Sequence, residues 1–321
     1  MTTFTRRDLG RVALGAGALA ALPRAGHART FINILTGGTS GVYYPLGVAL
    51  SQIYGAGIEG AQTQVQATKA SVENCVLLDR RRGELAFVLG DSLMHAAEGN
   101  AEAGFPKPLT SLRVLAAIYP NFAHLVVRQD SGIRTFADVR GHSLSVGAPA
   151  SGAELSSRLM FDAAGMSYKD LSKVEYLPYS DSAELIKNRQ LDGTLQSAGL
   201  GSGFIRDLAA SIPITIAEVP AAVAEKMGKP FQSAVIPAGT YEGQDADVMT
   251  VLTPNYLVTH DEVPDELAYQ MAKLMYANLD ALKAAHSAAN DIDPMKAAQN
   301  LPVPLHPGAA RYYQEAGVPI E

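Results

Sequence analysis

A short apolar stretch, a loop of Gly, Ser, Thr or Ala, and an amphipathic helix follow one another repeatedly along this chain, and that repeat constrains the fold most. Phe31-Ile32-Asn33-Ile34-Leu35 runs into Thr36-Gly37-Gly38-Thr39-Ser40-Gly41, after which residues 42–54 have helical apolar spacing. Gln62-Thr63-Gln64-Val65-Gln66 alternates as a strand does and gives way to Ala67-Thr68-Lys69-Ala70-Ser71, with Ser71 the candidate N-cap of a helix over 72–82. Leu85-Ala86-Phe87-Val88-Leu89 ends at Gly90-Asp91-Ser92 before a helix over 93–98. Strands alternating with helices of this size predict a mainly parallel sheet with crossover helices.

The pattern then restarts. Apolar stretches at 112–118 and 123–128 are joined by Tyr119-Pro120-Asn121-Phe122, and Ser143-Leu144-Ser145-Val146-Gly147 leads through Ala148-Pro149-Ala150-Ser151-Gly152 to a helix over 153–165. A strand at 174–177 precedes Pro178-Tyr179-Ser180-Asp181-Ser182 and a helix over 183–189; Leu191 to Gln196 precedes Ser197-Ala198-Gly199-Leu200-Gly201. The strand-like 248–258 carries the chain back, and helices over 264–282, 294–300 and 309–316 close it. Two lobes are expected: one from 29–120 and 256–321, the other from 121–255, with hinges at 119–123 and 255–258.

The N-terminus decides the compartment. Thr5-Arg6-Arg7-Asp8-Leu9-Gly10-Arg11, an apolar run from Val12 to Leu22, and Gly26-His27-Ala28 read as the basic region, apolar region and cleavage site of a twin-arginine-type signal peptide over 1–28. The run is about 11 residues where a membrane span needs about 20. Cleavage after Ala28 would remove four arginines and one aspartate from a chain of 26 basic and 32 acidic residues, leaving a net charge of −9. Such a balance offers nothing to nucleic acid or to an anionic membrane surface. The only cysteine, Cys75, falls on the apolar side of a helix and cannot form an internal disulfide. With no cysteine after the signal to carry a lipid, the expected product is a soluble periplasmic protein.

Ligands of open α/β sheets collect at the carboxyl ends of strands, where helix N-termini present free N–H groups and the positive end of the helix dipole. Small polar loops stand at those ends in both halves, so two facing lobes would form a cleft with donors on both walls. That arrangement suits capture rather than conversion. Catalytic signatures are sparse: there is no Gly-x-Ser-x-Gly, and the seven histidines (27, 95, 124, 142, 260, 286, 306) show no metal-ligating pair.

Five stretches, in order and compatibly spaced, resemble the TAXI-type solute receptors of tripartite ATP-independent periplasmic (TRAP) transporters. They are residues 36–47, 70–74 (Ala-Ser-Val-Glu-Asn), 130–133 (Asp-Ser-Gly-Ile), 236–241 (Ile-Pro-Ala-Gly-Thr-Tyr) and 305–313 (Leu-His-Pro-Gly-Ala-Ala-Arg-Tyr-Tyr). The resemblance implies a type II periplasmic-binding-protein fold, closure of two lobes on a glutamate-like amino acid or small dicarboxylate, and delivery by a monomer to a sodium-coupled membrane permease, without cofactor or metal. Carried across, the first lobe contributes Ser40, Tyr43, Asn74, Asp91 and Ser92; the second contributes Ala150, Ser151 and Gly152, with Ser197, Ala198 and Gly199 on the hinge side and Tyr119 covering the ligand at the crossing. Bland readings stand beside two of these, Tyr43 as an aromatic packed on the sheet and Asp91 as a helix cap, and Glu154 is expected to complete a cap after Ser151. The chain departs from the family pattern at Lys69, read either as a charge favouring a second ligand carboxylate or as a lysine whose stem lies along the loop with its head in water, and at Gly90, where a polar side chain is expected.

Two alternatives stay open. The loop at 36–41 also resembles the cofactor loop of short-chain dehydrogenases, and Tyr269 and Lys273 have the Tyr-x-x-x-Lys spacing used there for proton transfer. Against this, no acidic residue closes a strand about 20 positions after the loop to bind a ribose. A periplasmic sensor partner would use the same two-lobed fold.

Overall fold

The computed structural model describes residues 29–321; the signal peptide expected over 1–28 lies outside them. The chain runs β1 (Thr30–Leu35), α1 (Tyr43–Gly57), β2 (Ala61–Gln66), α2 (Ser71–Asp79), β3 (Leu85–Leu89), α3 (Gly90–Glu98) and β4 (Leu112–Ala117). It continues through β5 (Asn121–Arg128), β6 (Ser143–Ser145), α4 (Gly152–Ala163), β7 (Lys173–Glu175), α5 (Tyr179–Lys187), β8 (Gly193–Ala198) and α6 (Gly203–Ser211). Then come β9 (Ile214–Ala217), α7 (Ala221–Met227), β10 (Gln232–Ile236), β11 (Val248–Thr253), β12 (Asn255–His260), α8 (Asp265–Ala277), α9 (Leu279–Ala285) and α10 (Pro307–Ala316).

These strands form two sheets, ordered β2-β1-β3-β12-β4 and β10-β11-β5-β8-β6-β7, with β9 paired to β5. Helices cover both, which makes the fold α/β with two sheets. The strands of the first sheet come from 30–117 and 255–260, those of the second from 121–253. Both sheets are mixed rather than mainly parallel. Parallel pairing is confined to β1–β2, β1–β3, β6–β7 and β6–β8, because the long strands that enter each sheet at the crossings, β5 and β12, run antiparallel to their neighbours. Pro254 explains why residues 248–258 are two strands and not one. It lacks an N–H for either ladder, so β11 ends in the second sheet before it and β12 begins in the first sheet after it.

Alternation along β3 shows how one strand holds two helical layers. Leu85 and Phe87 face the core built with Leu46 and Tyr54 of α1 and Met271 of α8, whereas Ala86 and Val88 face the core of Cys75 and Leu78 from α2 and Leu93 from α3. All five residues are buried, as expected of a strand covered on both faces. In the second sheet β5 divides likewise, Leu125 and Val127 packing with Phe161 of α4, and Phe122 and Val126 packing with Phe204 and Leu208 of α6. Two helical expectations change. The 264–282 stretch breaks at Asn278 into α8 and α9, and 294–300 makes only a 3-10 turn at Pro294–Lys296.

Candidate functional site

A cavity of about 330 Å³ lies between the lobes. The starts of α1, α2, α4 and α5 converge on it: Gly41, Val42 and Tyr43 at α1, Ala70 and Ser71 at α2, Ser151 and Ala153 at α4, Pro178 and Tyr179 at α5. Each of these helix ends has backbone N–H groups without an intrahelical partner and a positive partial charge, so the cavity favours an acceptor or an anion.

Of the residues expected at the site, Tyr43, Lys69, Ser151, Ser197, Ala198 and Gly199 line the cavity. Tyr43 starts α1, stacks on Phe87 (centroids 5.0 Å apart) and donates from its hydroxyl to Asn255 Oδ1 at 2.6 Å. Burial pushes its phenol well above the ordinary range, so it stays a neutral donor. Ser151 caps α4 by accepting from the Glu154 backbone N–H at 3.0 Å. Glu154 does not complete a capping box; its carboxylate turns to Arg158 at 3.2 Å.

The other expected residues stand behind the walls. Asn74 is buried and saturated, its Nδ2 donating to Thr36 O (2.8 Å) and Phe87 O (2.9 Å) while its Oδ1 accepts from Thr68 (2.7 Å); it pins the two loops that form the wall. Asp91 and Ser92 are buried in the first turn of α3, with Asp91 Oδ1 accepting from the Ser92 N–H and Oδ2 from Ser156 of the other lobe. Asp91 is not the N-cap, which is Leu89. Ser71 does not cap α2 either, since its hydroxyl accepts from the Leu89 N–H at 3.0 Å. Ser40 is half-buried in the opening loop and does not line the cavity. Tyr119 is fully buried, its ring against Gly199 and its phenol close enough to those of Tyr43 and Tyr179 to help raise its pKa, after burial itself. Ala150 and Gly152 serve as inter-lobe contacts: Ala150 O accepts from the Glu73 N–H at 3.2 Å, and a Cβ on Gly152 would meet Leu89 Cδ1 and Ser71 Oγ at 2.7 Å. At Gly90 an added Cβ would come within 3.1–3.2 Å of Pro254 and Tyr256, which leaves little room for a polar side chain there.

Three features carry what the sequence reading did not assign. Tyr179, first residue of α5, stacks on Phe204 and donates to Ser197 O; it closes the cavity from the second lobe as Tyr43 does from the first, and its ring would touch a Cβ on Gly41 at 3.1 Å. Asn121 and Asn255 begin β5 and β12 at the crossings and bind each other at 2.6 Å. With Asn121 Nδ2 donating to Ser197 O at 3.2 Å, a chain of hydrogen bonds runs from Tyr43 through both crossings to the second sheet. Ala70 and Ala150, on facing loops, both hold positive φ (72° and 60°), a conformation that costs a non-glycine residue about 1–3 kcal/mol and concentrates at ligand clamps.

The dehydrogenase-like pair lies elsewhere. Tyr269 and Lys273 sit on α8, the Tyr269 hydroxyl donating to Glu315 at 2.7 Å, and neither lines the cavity.

Two α/β lobes joined at paired crossings, with a cavity between them ringed by helix N-termini, define the binding-protein class of fold. The chain belongs to the NMT1-like family, whose sequence profile matches residues 34–317. Among solved structures it is similar to the periplasmic binding protein BugD, at 10% identity over 91% of this chain and 99% of that one, with a TM-score of 0.55. It is also similar to PhnD1 from Prochlorococcus marinus in complex with methylphosphonate (9% identity, 82% and 90% covered, TM-score 0.52). A third likeness is to a putative L-cystine ABC transporter from Listeria monocytogenes (11% identity, 82% and 98% covered, TM-score 0.50). These likenesses show the fold. Among the described residues no helix is long and apolar enough to cross a membrane.

Proposed function

We propose that the chain is an extracytoplasmic solute-binding receptor of a TRAP transporter of the TAXI type, which captures a small carboxylate solute in the inter-lobe cavity and delivers it to membrane permease subunits without turnover. The observation that carries this reading is the convergence of helix N-termini from both lobes on one cavity, since capture by two walls makes closure and binding the same event. Residues 36–47 support the TRAP assignment by resembling the family at the loop that opens the first wall. The signal over 1–28 supports export to the periplasm. The lobes are taken as 29–120 with 256–321 and 121–255, hinged where Asn121 and Asn255 meet.

The test is a thermal-shift screen of the mature protein over carboxylates, amino acids and their amides. A ligand that binds only the folded state raises Tm in proportion to the logarithm of its concentration above Kd. A stabilising carboxylate is expected. Stabilisation by a nicotinamide cofactor in place of any carboxylate would favour the dehydrogenase-like reading.

A further inference from the structure

The charge of the cavity wall narrows the solute, if the cavity is the capture site proposed above. Among the described residues lining it, Lys69, itself exposed, is the one residue of a charged type, and there is no aspartate, glutamate, histidine or arginine. Two acids close to the wall are committed elsewhere. Asp91 is behind the wall with both oxygens bonded, and Glu73 accepts from the Lys69 backbone N–H at 2.6 Å and faces a separate cleft beside α4. Much of the remaining wall is Gly, Ala, Pro, Val42, Leu89 and the rings of Tyr43 and Tyr179. The hydroxyls of those two rings already donate to Asn255 and Ser197, so they offer the ligand apolar faces more than donors.

An α-ammonium group moved from water into such a wall would lose its hydration and find no counter-charge, while the helix ends would repel it. A second carboxylate would find helix N-termini but no second cationic side chain. We propose that the ligand is a small monocarboxylate with an uncharged, largely apolar body and no ammonium group, its carboxylate set toward Lys69 and the helix N-termini. Selection against amino acids is then built into the wall by the absence of an acid, and selection against dicarboxylates by the presence of a single lysine.

The experiment compares skeleton-matched probes by calorimetric titration of the mature protein: 3-phenylpropanoate against phenylalanine and 3-phenylpropanamide, and 4-methylpentanoate against leucine and glutarate. Each monocarboxylate is expected to bind at least tenfold more tightly than its amino acid, its amide or the dicarboxylate. Lys69→Gln is expected to weaken the monocarboxylates about ten- to hundredfold and leave the amide unchanged, the size of one charge-assisted hydrogen bond. Tighter binding of leucine, phenylalanine or glutarate overturns the proposed class and leaves solute capture standing. Equal affinities in Lys69→Gln and the native protein overturn the role of Lys69. Absence of heat and of thermal stabilisation with every probe at millimolar concentration overturns both the class and the capture reading on which it rests.

Discussion

Ser156, on α4 of the second lobe, donates a 2.6 Å hydrogen bond to Oδ2 of Asp91, on α3 of the first. Both side chains are fully buried, so a carboxyl group is held at the lobe interface by one hydroxyl from across it and by the Ser92 N–H on its own side. Burial raises the pKa of Asp91, and those two bonds oppose the rise. A raised folded pKa means that the folded protein binds this proton more tightly than the unfolded chain, so the contribution to stability is favourable below the ordinary carboxylate range and is lost as pH rises through the folded pKa.

Ser156→Ala removes the opposing bond and leaves the carboxylate short of a partner. The variant is expected to lose about 1–3 kcal/mol at pH 7, the cost of an unsatisfied buried acceptor, and less at acid pH where the carboxyl is neutral. Urea unfolding of both proteins at two pH values checks the direction: a gap that widens toward acid would contradict it.

Gly152 sets how closely the lobes approach, because no side chain fits between it and Leu89 and Ser71. Gly152→Val should hold the lobes apart and weaken ligand binding at least tenfold. Since the clash is between lobes and not inside one, Tm without ligand should fall by no more than loss of the Asp91–Ser156 bond across the same interface would cause. A large loss of Tm with unaltered affinity would place the clash within a lobe instead.

His124 is buried, its Nδ1–H donating to Phe122 O at 2.9 Å and its Nε2 accepting from the Tyr241 hydroxyl at 2.9 Å. Burial lowers its pKa to about 4. An unfolded histidine titrates near 6.5, so the folded state resists this proton; the stability contribution is fully present above about pH 6.5 and is lost as pH falls through 4. Ring NMR signals of His124 should therefore stay those of the neutral imidazole at pH 5.5. A midpoint near 6.5 would show that the side chain is reached by water.

The apolar runs are enough to place β3 and β5, because a strand covered on both faces reads as unbroken hydrophobicity. The region from Gly203 to Ile236 was not legible. β9 and β10 are short, β10 is largely exposed, and their pairing with β5 and β11 is decided by contacts distant in sequence. At the site, Tyr43 was legible and Tyr179 was not, although each opens a helix after a strand. The expected start of α5 at 183 put Tyr179 in a loop, whereas Pro178 is the N-cap residue, after which the helix begins. Asn74 and Asp91 are expected as ligand contacts only because the family resemblance carries them there. Their hydrogen bonds spend them on holding the wall and the interface, a distinction that only the coordinates supply.

The central claim is that a solute is captured by closure of the two lobes about the crossings at Asn121 and Asn255. Small-angle X-ray scattering of the mature protein, without ligand and at saturation with the most stabilising carboxylate, tests it most directly. A ligand shifts the equilibrium only by its preference for the closed form, so the account predicts a smaller radius of gyration on saturation. An identical profile with and without bound ligand would contradict it.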